Sequence, residues 1–390
     1  MRRFALALWF VLALASLPVG AEQPDVLQRL FAEGMQHLQS GEAAQAERVF
    51  RQMLEHTDSP RVKLELARAL YAQGKFKEAK ALFREVSRQS DTPWRVRDNI
   101  ARFVGDIEER TGYLKFGVTL ISDTNPRNLA PQEEFSIGNL RVTPTEAPEE
   151  EYGLRYLVRG WRPFSASGRT AGYFSAAYSD FAGHEIDRLT LDLGGVQALS
   201  ESGRLRGKAG VEIGTFGGHG LYDFPYLGLD AVLLERPEWR LTGETKIGKV
   251  RFADFKYLDA DFASGALAVR RALTPSVVGS LRVGVERSHA AEEPYSYKGW
   301  DLSPGISVLW AKTAYTLGAN ALYGERTYGA ADPLFGVVRK DARARLELTL
   351  GNKNWRRRDW QFALVGALEE NRSSIEFFSY RKANLSVVVD

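Results

Sequence analysis

The chain has 390 residues, a nearly balanced charge of 52 Lys and Arg against 49 Asp and Glu, and no cysteine. The missing cysteines exclude disulfides, zinc–thiolate sites and thiol nucleophiles, and the balanced charge lacks the basic footprint of a nucleic-acid-binding protein. The length leaves room for two domains, and 36 glycines with 11% aromatic residues favour short strands with frequent turns over a buried α/β core.

Residues 1–21 have the pattern of a secretory signal peptide. Arg2 and Arg3 precede an apolar run, which ends in Pro18 and the small residues 19–21. We predict cleavage after Ala21; an uncleaved anchor helix is the alternative, but the run is short for a membrane span. No later stretch approaches 18 apolar residues, so an exported chain of this kind is either soluble or a β-barrel.

Residues 25–56 and 60–89 repeat one another at an offset of 33 residues and carry helical patterns. The order of small residue, glycine turn, alanine and aromatic residue resembles tetratricopeptide repeats. The predicted core of the repeats consists of Gly34, Ala46 and Phe50 in the first copy and Ala67, Ala79 and Phe83 in the second. We predict a tetratricopeptide-like helical domain at 22–110, in which a fifth helix at 94–110 caps the stack. The repeats either stabilise the N-terminal end of the segment that follows them or bind a peptide on their concave surface.

From Tyr113 onward the sequence contains fourteen segments of alternating polarity, from 113–121 to 379–389. In residues 205–213, for example, Arg206, Lys208 and Glu212 alternate with apolar or small residues. A soluble sandwich also alternates, but its strands average five or six residues, whereas these segments reach about ten. The predicted fold class is therefore an α + β membrane protein, with the short helical domain followed by a 14-stranded antiparallel transmembrane β-barrel at 111–390.

The connections between these segments predict the orientation of the barrel. Turns near residues 200, 235, 271 and 311, and at Gly351–Asn354, are short, whereas most of the alternate connections are longer, above all 122–151. Outer-membrane barrels have short periplasmic turns and long external loops. We therefore expect the barrel to lie in the outer membrane with the helical domain in the periplasm. The chain ends in Asp390 rather than in the aromatic residue common at the end of such barrels.

Two stretches carry a family resemblance: ISDTNPRNLAP at 121–131 and EENRSSIEFFSYRK at 369–382. Together with tetratricopeptide helices before a 14-stranded barrel, they resemble the surface lipoprotein assembly modulator family of Gram-negative outer-membrane proteins. The resemblance implies protein translocation, in which the helical domain engages a client and the barrel helps to deliver a lipoprotein or a soluble haem- or metal-acquisition protein to the cell surface. The helical domain here is shorter than in many members of that family.

Both stretches are predicted to meet where the first and last strands close the barrel. Asp, Asn and Pro in the first stretch form turns readily, so it is either a structural loop or a gate held in the lumen. The residues of the second stretch are expected to organise the last external hairpin. The predicted gate and seam residues are Asp123, Asn125, Asn128, Asn371, Arg372, Ser373, Tyr380 and Arg381.

The sequence contains no motif that predicts catalysis. His184, His219 and His289 fall in predicted external loops, where single histidines are usually solvated. Ser288 and His289 are neighbours on a strand and so point to opposite faces, which excludes a nucleophile and base pair. We therefore predict no enzyme activity and no metal or cofactor.

Three functions remain: protein translocation, exopolysaccharide export and passive diffusion through a general porin. A porin has no evident use for a helical domain, and the mixed charges of the lumen differ from the one-signed or aromatic track expected of a polysaccharide pore. The expected partners are a client lipoprotein or secreted protein, outer-membrane lipid, the barrel-assembly machinery and periplasmic chaperones. We expect no nucleic acid as a partner, and a monomer.

Overall fold

The computed structural model describes residues 23–131, 134–137, 140–144, 146–165, 168–182, 185–357 and 360–389. The predicted signal peptide and His184 lie outside the described residues. Five helices come first: α1 Gln23–Gln39, α2 Ala43–Leu54, α3 Pro60–Ala72, α4 Phe76–Arg88 and α5 Trp94–Thr111. The described helices include none that is both long enough and apolar enough to cross a membrane. The chain divides into two compact units between Thr92 and Pro93.

Helices α1 to α4 form two helix pairs whose core is built from the predicted small and aromatic residues. Ala46, Phe50, Ala67 and Ala79 are fully buried, and Phe83 is 1% exposed. A Cβ atom on Gly34 would lie 2.7 Å from Cε1 of Phe50, so α1 and α2 pack this closely only because residue 34 is glycine. The large aromatic side chain thus fills the space that the small residue leaves.

A polar network centred on Glu47 ties α2 to the second helix pair. The Glu47 carboxylate is 8% exposed and accepts hydrogen bonds from Lys75 Nζ at 2.7 Å, Gln73 Nε2 at 2.8 Å and Arg51 Nε at 2.9 Å. Burial by itself would raise the pKa of Glu47, but these hydrogen bonds outweigh it and lower the pKa to about 2. Arg51 continues the network to Glu78 at 2.8 Å.

We expect this network to make the stability of the helical unit depend on pH. The pKa of Glu47 is about 2 in the folded chain, below its ordinary value of 4.5, so its contribution is complete above about pH 4.5 and is lost as pH falls from there towards 2. Glu47→Gln should lower the free energy of unfolding at pH 7 by about 1 to 2 kcal/mol and flatten its dependence on pH in that range. Urea unfolding of the helices, followed by circular dichroism, measures both; the exposed Glu55 provides the control Glu55→Gln.

The second unit is a closed antiparallel barrel of fourteen strands, and the predicted fold class is confirmed. Its order around the barrel is β1-β16-β15-β14-β13-β12-β11-β10-β9-β8-β7-β6-β5-β4, and β2 and β3 form a separate hairpin. The strands are β1 Tyr113–Asp123, β2 Phe135–Ile137, β3 Leu140–Val142, β4 Glu151–Pro163, β5 Thr170–Phe181, β6 Arg188–Ala198, β7 Leu205–Phe216, β8 His219–Glu235, β9 Trp239–Phe252, β10 Ala260–Thr274, β11 Val277–Ala290, β12 Tyr297–Trp310, β13 Tyr315–Ala331, β14 Val338–Arg357, β15 Trp360–Ser373 and β16 Tyr380–Val389.

The alternation of polarity places apolar side chains outside the barrel. In β1, Leu114, Phe116 and Leu120 are each more than half exposed, whereas Ile121 and Asp123 on the opposite face are buried. Side chains on successive strand residues point to opposite faces, so a period of two separates an apolar outer surface from a polar lumen.

The two ends of the barrel differ in their connections. At the end where α5 leads into β1, six connections of two to six residues join the strands. We call this the α5 end, and the opposite end the loop end. The loop end carries seven connections, including residues 124–150, the longest in the barrel, which contain the β2–β3 hairpin. The predicted contrast between short and long connections is confirmed for this first loop alone, because the other six connections at the loop end have only two to seven residues.

One predicted turn is wrong. We expected a turn at Gly351–Asn354, but these residues lie inside β14, which continues to Arg357. Gly351 and Asn352 still pair with β13, opposite Thr316 and Tyr315. The pairing of β14 with β15 is irregular between Gly351 and Arg356, so the polar residues that suggested a turn form a bulge instead.

Helix α5 belongs to the barrel unit, although we predicted that it caps the repeats and placed the domain boundary at residue 110. Its polar side chains explain the difference. Near its start, Arg97 donates a hydrogen bond to Oδ1 of Asn354 at 2.8 Å, and near its end Glu108 forms an ion pair with Lys115 at 3.0 Å. The helix is thus held to β14 at one end and to β1 at the other.

Candidate functional site at the closing seam

The barrel closes where β1 pairs with β16, and this pairing is short. It runs from Val118 opposite Val389 to Asp123 opposite Asn384, six residue pairs, whereas β1 pairs with β4 over all eleven residues from Tyr113 to Asp123. Among the described residues it is the shortest pairing between neighbouring barrel strands. In the described part of the chain, residues 113–117 of β1, which lie nearest α5, consequently pair with β4 only.

At the loop end of this seam, Asp123 and Asn125 connect the two strands. Asn384 Nδ2 donates to Oδ2 of Asp123 at 2.9 Å, and the other carboxylate oxygen accepts from the Asn125 backbone N–H at 2.9 Å. Asn125 is 1% exposed; its Nδ2 donates to the carbonyl of Leu129 at 2.8 Å and to that of Arg381 at 3.3 Å. The predicted pair therefore fixes the start of the first loop to the last strand.

Asn128 lies on the same seam. Its φ of 57° is in the left-handed region, which asparagine tolerates better than most residues. Its side-chain oxygen accepts a hydrogen bond from Lys382 Nζ at 2.7 Å. The three predicted residues of the first stretch are thus gathered beside β16.

The predicted residues of the second stretch stabilise the β15–β16 hairpin. Asn371 Nδ2 donates to the carbonyl of Phe378 at 2.8 Å, and the Ser373 backbone N–H donates to Ser379 Oγ at 2.9 Å. Tyr380 donates its hydroxyl to Glu369 at 2.8 Å.

Arg372 and Arg381 belong to a different surface. Both bind Glu370, at 2.9 and 2.7 Å, and both side chains are 74% exposed. The structure therefore does not bring all eight predicted residues into one cluster: Asp123, Asn125 and Asn128 lie at the seam, Asn371, Ser373 and Tyr380 support the adjoining hairpin, and the two arginines are exposed.

The first loop also contacts connections on both sides of the seam. Phe135 in its β2–β3 hairpin is buried and packs edge-on against Phe377 of the β15–β16 connection, with ring centres 5.3 Å apart. Arg127 forms ion pairs with Glu146 at 2.5 Å and with Glu185 of the β5–β6 connection at 3.2 Å. The hydrogen bond to Glu146 is the main reason that the pKa of Arg127 is raised. The loop is therefore anchored beyond its seam contacts.

Below this loop lies a lumenal cavity of about 350 Å³. Its described lining comes from β1, β4, β5, β6, β14, β15 and β16, together with Pro126. The charged residues of the lining are Arg155, Arg188, Arg345, Lys382, Asp123 and Glu347. The cavity thus has an excess of positive charge, and the predicted seam residue Asp123 is part of its wall.

Sequence reasoning missed most of these residues. Lys382 and Asn384 could have been found, because they occupy the polar side of the alternation that ends in Leu385, Val387 and Val389. Arg155 and Arg188 could not have been found in this way. The alternation places each on the polar face of its strand, as it does many other arginines, and does not show that the two lie close together. Their convergence depends on which strands are neighbours.

Ser288 and His289 lie on β11, within the described part of the chain. Ser288 is buried and the side chain of His289 is 63% exposed, as expected of neighbours on opposite faces of a strand. Within the described part of the chain, no three His, Asp or Glu side chains are placed to hold a metal ion.

Two family models match parts of the chain. A tetratricopeptide repeat model matches residues 37–94, and a model described as a protein of unknown function, DUF2860, matches residues 263–389. The second match covers about a third of the chain and lies within the barrel. No curated protein matches this sequence.

Several solved structures match this chain at low similarity, and some of them are described as outer-membrane proteins. OpdK from Pseudomonas aeruginosa is 10% identical, with a TM-score of 0.40 over 71% of this chain and 98% of its own. A loop-deletion mutant of OmpT from Vibrio cholerae is also 10% identical, with a TM-score of 0.36 over 72% of this chain and 98% of its own. A Pseudomonas aeruginosa FadL homologue is 10% identical, with a TM-score of 0.38 over 71% and 88%.

The class of protein follows from the fold and the repeat match together. The chain combines an N-terminal unit that matches a tetratricopeptide repeat model with a closed antiparallel β-barrel of fourteen strands.

Proposed function

We propose that this protein is an outer-membrane translocator that delivers a lipoprotein or a soluble haem- or metal-acquisition protein to the cell surface. The observation that carries the proposal is the short seam, in which β1 and β16 share six residue pairs. A backbone hydrogen bond contributes about 0.5 to 1.5 kcal/mol net, so a short pairing costs less to separate than the longer pairings elsewhere in the barrel. Residues 113–116 of β1, which pair only with β4 among the described residues, also offer an edge to which a client strand could add.

In this proposal, the repeat unit binds the client before the barrel exports it. Helical repeats commonly bind peptides on a concave surface, and the predicted signal peptide would export this unit to the periplasm. With short turns on the periplasmic side, the 124–150 loop faces outward. In this orientation the client is engaged in the periplasm and leaves at the loop end of the barrel.

The proposed partners follow from this role: a client lipoprotein or secreted protein, periplasmic chaperones, the barrel-assembly machinery and outer-membrane lipid. We propose that the protein acts as a monomer without enzyme activity, and that client binding or folding outside the cell drives export without nucleotide.

Deletion of the gene, with complementation by the full chain, tests the proposal. We expect at least one lipoprotein or haem- or metal-binding protein to lose surface labelling by about tenfold in the deletion strain and to regain it on complementation. Its total amount in the cell should remain unchanged, since export rather than synthesis is affected. Normal surface labelling of every such protein would contradict translocation, and a selective loss of solute uptake or of capsule would indicate a porin or a polysaccharide pore.

A further inference from the structure

The lumenal cavity beside the seam departs from the charge pairing found elsewhere in the lumen. Elsewhere in the lumen, cations pair with carboxylates on nearby strands: Arg282 binds Asp301 of the adjacent strand at 2.7 Å, and Arg326 of β13 binds Glu286 of β11 at 2.6 Å. Such pairing offsets the cost of removing charges from water. The wall of the cavity instead carries four cationic side chains and two carboxylates among its described residues.

Two of these cations, Arg155 and Arg188, account for the excess. Neither has a carboxylate within ion-pair distance in the described part of the chain. Arg155 Nε donates to Ser179 Oγ at 2.9 Å, and Arg188 donates to the carbonyl of Pro126. The Nε atom of Arg188 is buried and has no hydrogen-bond partner among the described residues. A buried donor without a partner is unfavourable, and a bound acceptor would satisfy it.

The other two cations are already engaged. Arg345 forms ion pairs with Glu347 at 2.7 Å and Glu369 at 3.2 Å. Lys382 Nζ donates to Asn128 and forms an ion pair with Asp123 at 4.0 Å. The unmet charge is therefore confined to Arg155 and Arg188, whose planar guanidinium groups suit two-pronged hydrogen bonding to a carboxylate.

The uncharged part of the wall is mixed, because hydroxyl and amide side chains from Thr119, Ser179, Asn384 and Ser386 alternate with an apolar patch. Ile121, Phe181, Val365 and Val388 line the same space. A volume of about 350 Å³ is near the lower end of the usual range for small-molecule sites, which combine apolar walls with a few polar groups that orient the ligand. The lining thus offers an apolar patch for a small ring or chain beside the two arginines, within a wall that is otherwise polar.

We infer that this cavity binds a small organic anion, with its carboxylate held by Arg155 and Arg188 and its apolar body against Ile121, Phe181 and Val365. The site is formed by the lumen itself, so the inference stands independently of whether the barrel exports a protein. A solute of this kind would enter from the loop end or from the α5 end.

Binding of benzoate to the folded full chain in detergent, measured by titration calorimetry against empty micelles, tests the inference. Benzamide has the same ring without the charge and serves as the matched ligand. We expect saturable benzoate binding, no benzamide binding, and affinity about tenfold lower in Arg155→Gln and in Arg188→Gln, because each substitution removes a charge-assisted hydrogen bond. Arg282→Gln removes a paired lumenal arginine outside the cavity and should leave the affinity within about twofold.

Several results would overturn the inference: no saturable benzoate binding, equal binding of benzamide, or the same loss of affinity in Arg282→Gln as in the cavity variants. Inorganic phosphate should bind more weakly than benzoate, since it lacks the apolar body; tighter phosphate binding would overturn the assigned ligand class. Heat-dependent gel mobility confirms that each variant barrel is folded before titration.

Discussion

Oxidation of a Leu120→Cys, Val387→Cys double variant is expected to stop delivery of the client to the cell surface, and a reductant should restore it. Leu120 and Val387 are partners across the β1–β16 seam. Facing residues of antiparallel strands have Cα atoms about 4.5 to 5.5 Å apart, within the range that a disulfide spans. The chain contains no other cysteine, so only one bridge can form. If the seam must part for export, a covalent link across it should reduce surface labelling of the client at least about tenfold.

The matched control uses the other neighbour of the same residue. Leu120 also faces Leu154 across the β1–β4 pairing. A disulfide in Leu120→Cys, Leu154→Cys links strands that the proposal keeps together, so export should continue under oxidation. Gel mobility with and without reductant shows whether each bridge has formed. Full export through a completely oxidised β1–β16 bridge would exclude seam opening, as would equal inhibition by the two bridges.

Phe50→Ala is expected to lower the free energy of unfolding of the helical unit by about 3 to 5 kcal/mol. The ring is fully buried and lies where α1 crosses α2 over Gly34, so its removal leaves a cavity that the backbone cannot readily close. Phe83→Ala, at the equivalent position of the second repeat, should have an effect of similar size. Urea unfolding of the full chain, followed by the helical circular dichroism signal, measures the change.

Phe31→Ala provides a control in the same region. Phe31 contacts the Phe50 ring at a centre distance of 6.0 Å but is only half-buried, so its loss should cost clearly less than that of Phe50. The pair of variants also tests the role of the repeats. If Phe50→Ala abolishes export while the barrel still assembles, the helical unit acts on the client; if the barrel fails to assemble, the unit supports the barrel. An effect of Phe50→Ala no larger than that of Phe31→Ala would contradict the packing of Phe50 over Gly34.

The barrel was predictable because membrane strands impose a strict alternation of side chains. All fourteen barrel strands lie close to the predicted segments, and the strand Tyr297–Trp310 agrees at both ends. The largest error, at Gly351–Asn354, arose because glycine and asparagine occur both in turns and in bulges. Local sequence could not separate the two, since the difference depends on whether the neighbouring strand continues to pair.

The seam was predictable only in part. Asp123 and Asn125 stood out as turn-forming residues, and strand counting placed them beside the last strand. The assignment of Arg372 and Arg381 to the same cluster as Asp123 was not reproduced, because their side chains point away from the lumen and bind Glu370. The face on which a side chain lies near a hairpin depends on the pairing register of the two strands. A single sequence does not fix that register to better than one residue, and a shift of one residue moves a side chain to the opposite face.

By itself, the sequence determined the period-two alternation, the number of strands, the repeat core and the contrast between the first loop and the shorter connections, because each depends on local spacing along the chain. Tertiary structure decided that α5 belongs with the barrel, that the seam has six residue pairs, and that Arg155 and Arg188 share a cavity. These features require strands distant in the chain to become neighbours, and the stagger between them determines which side chains converge.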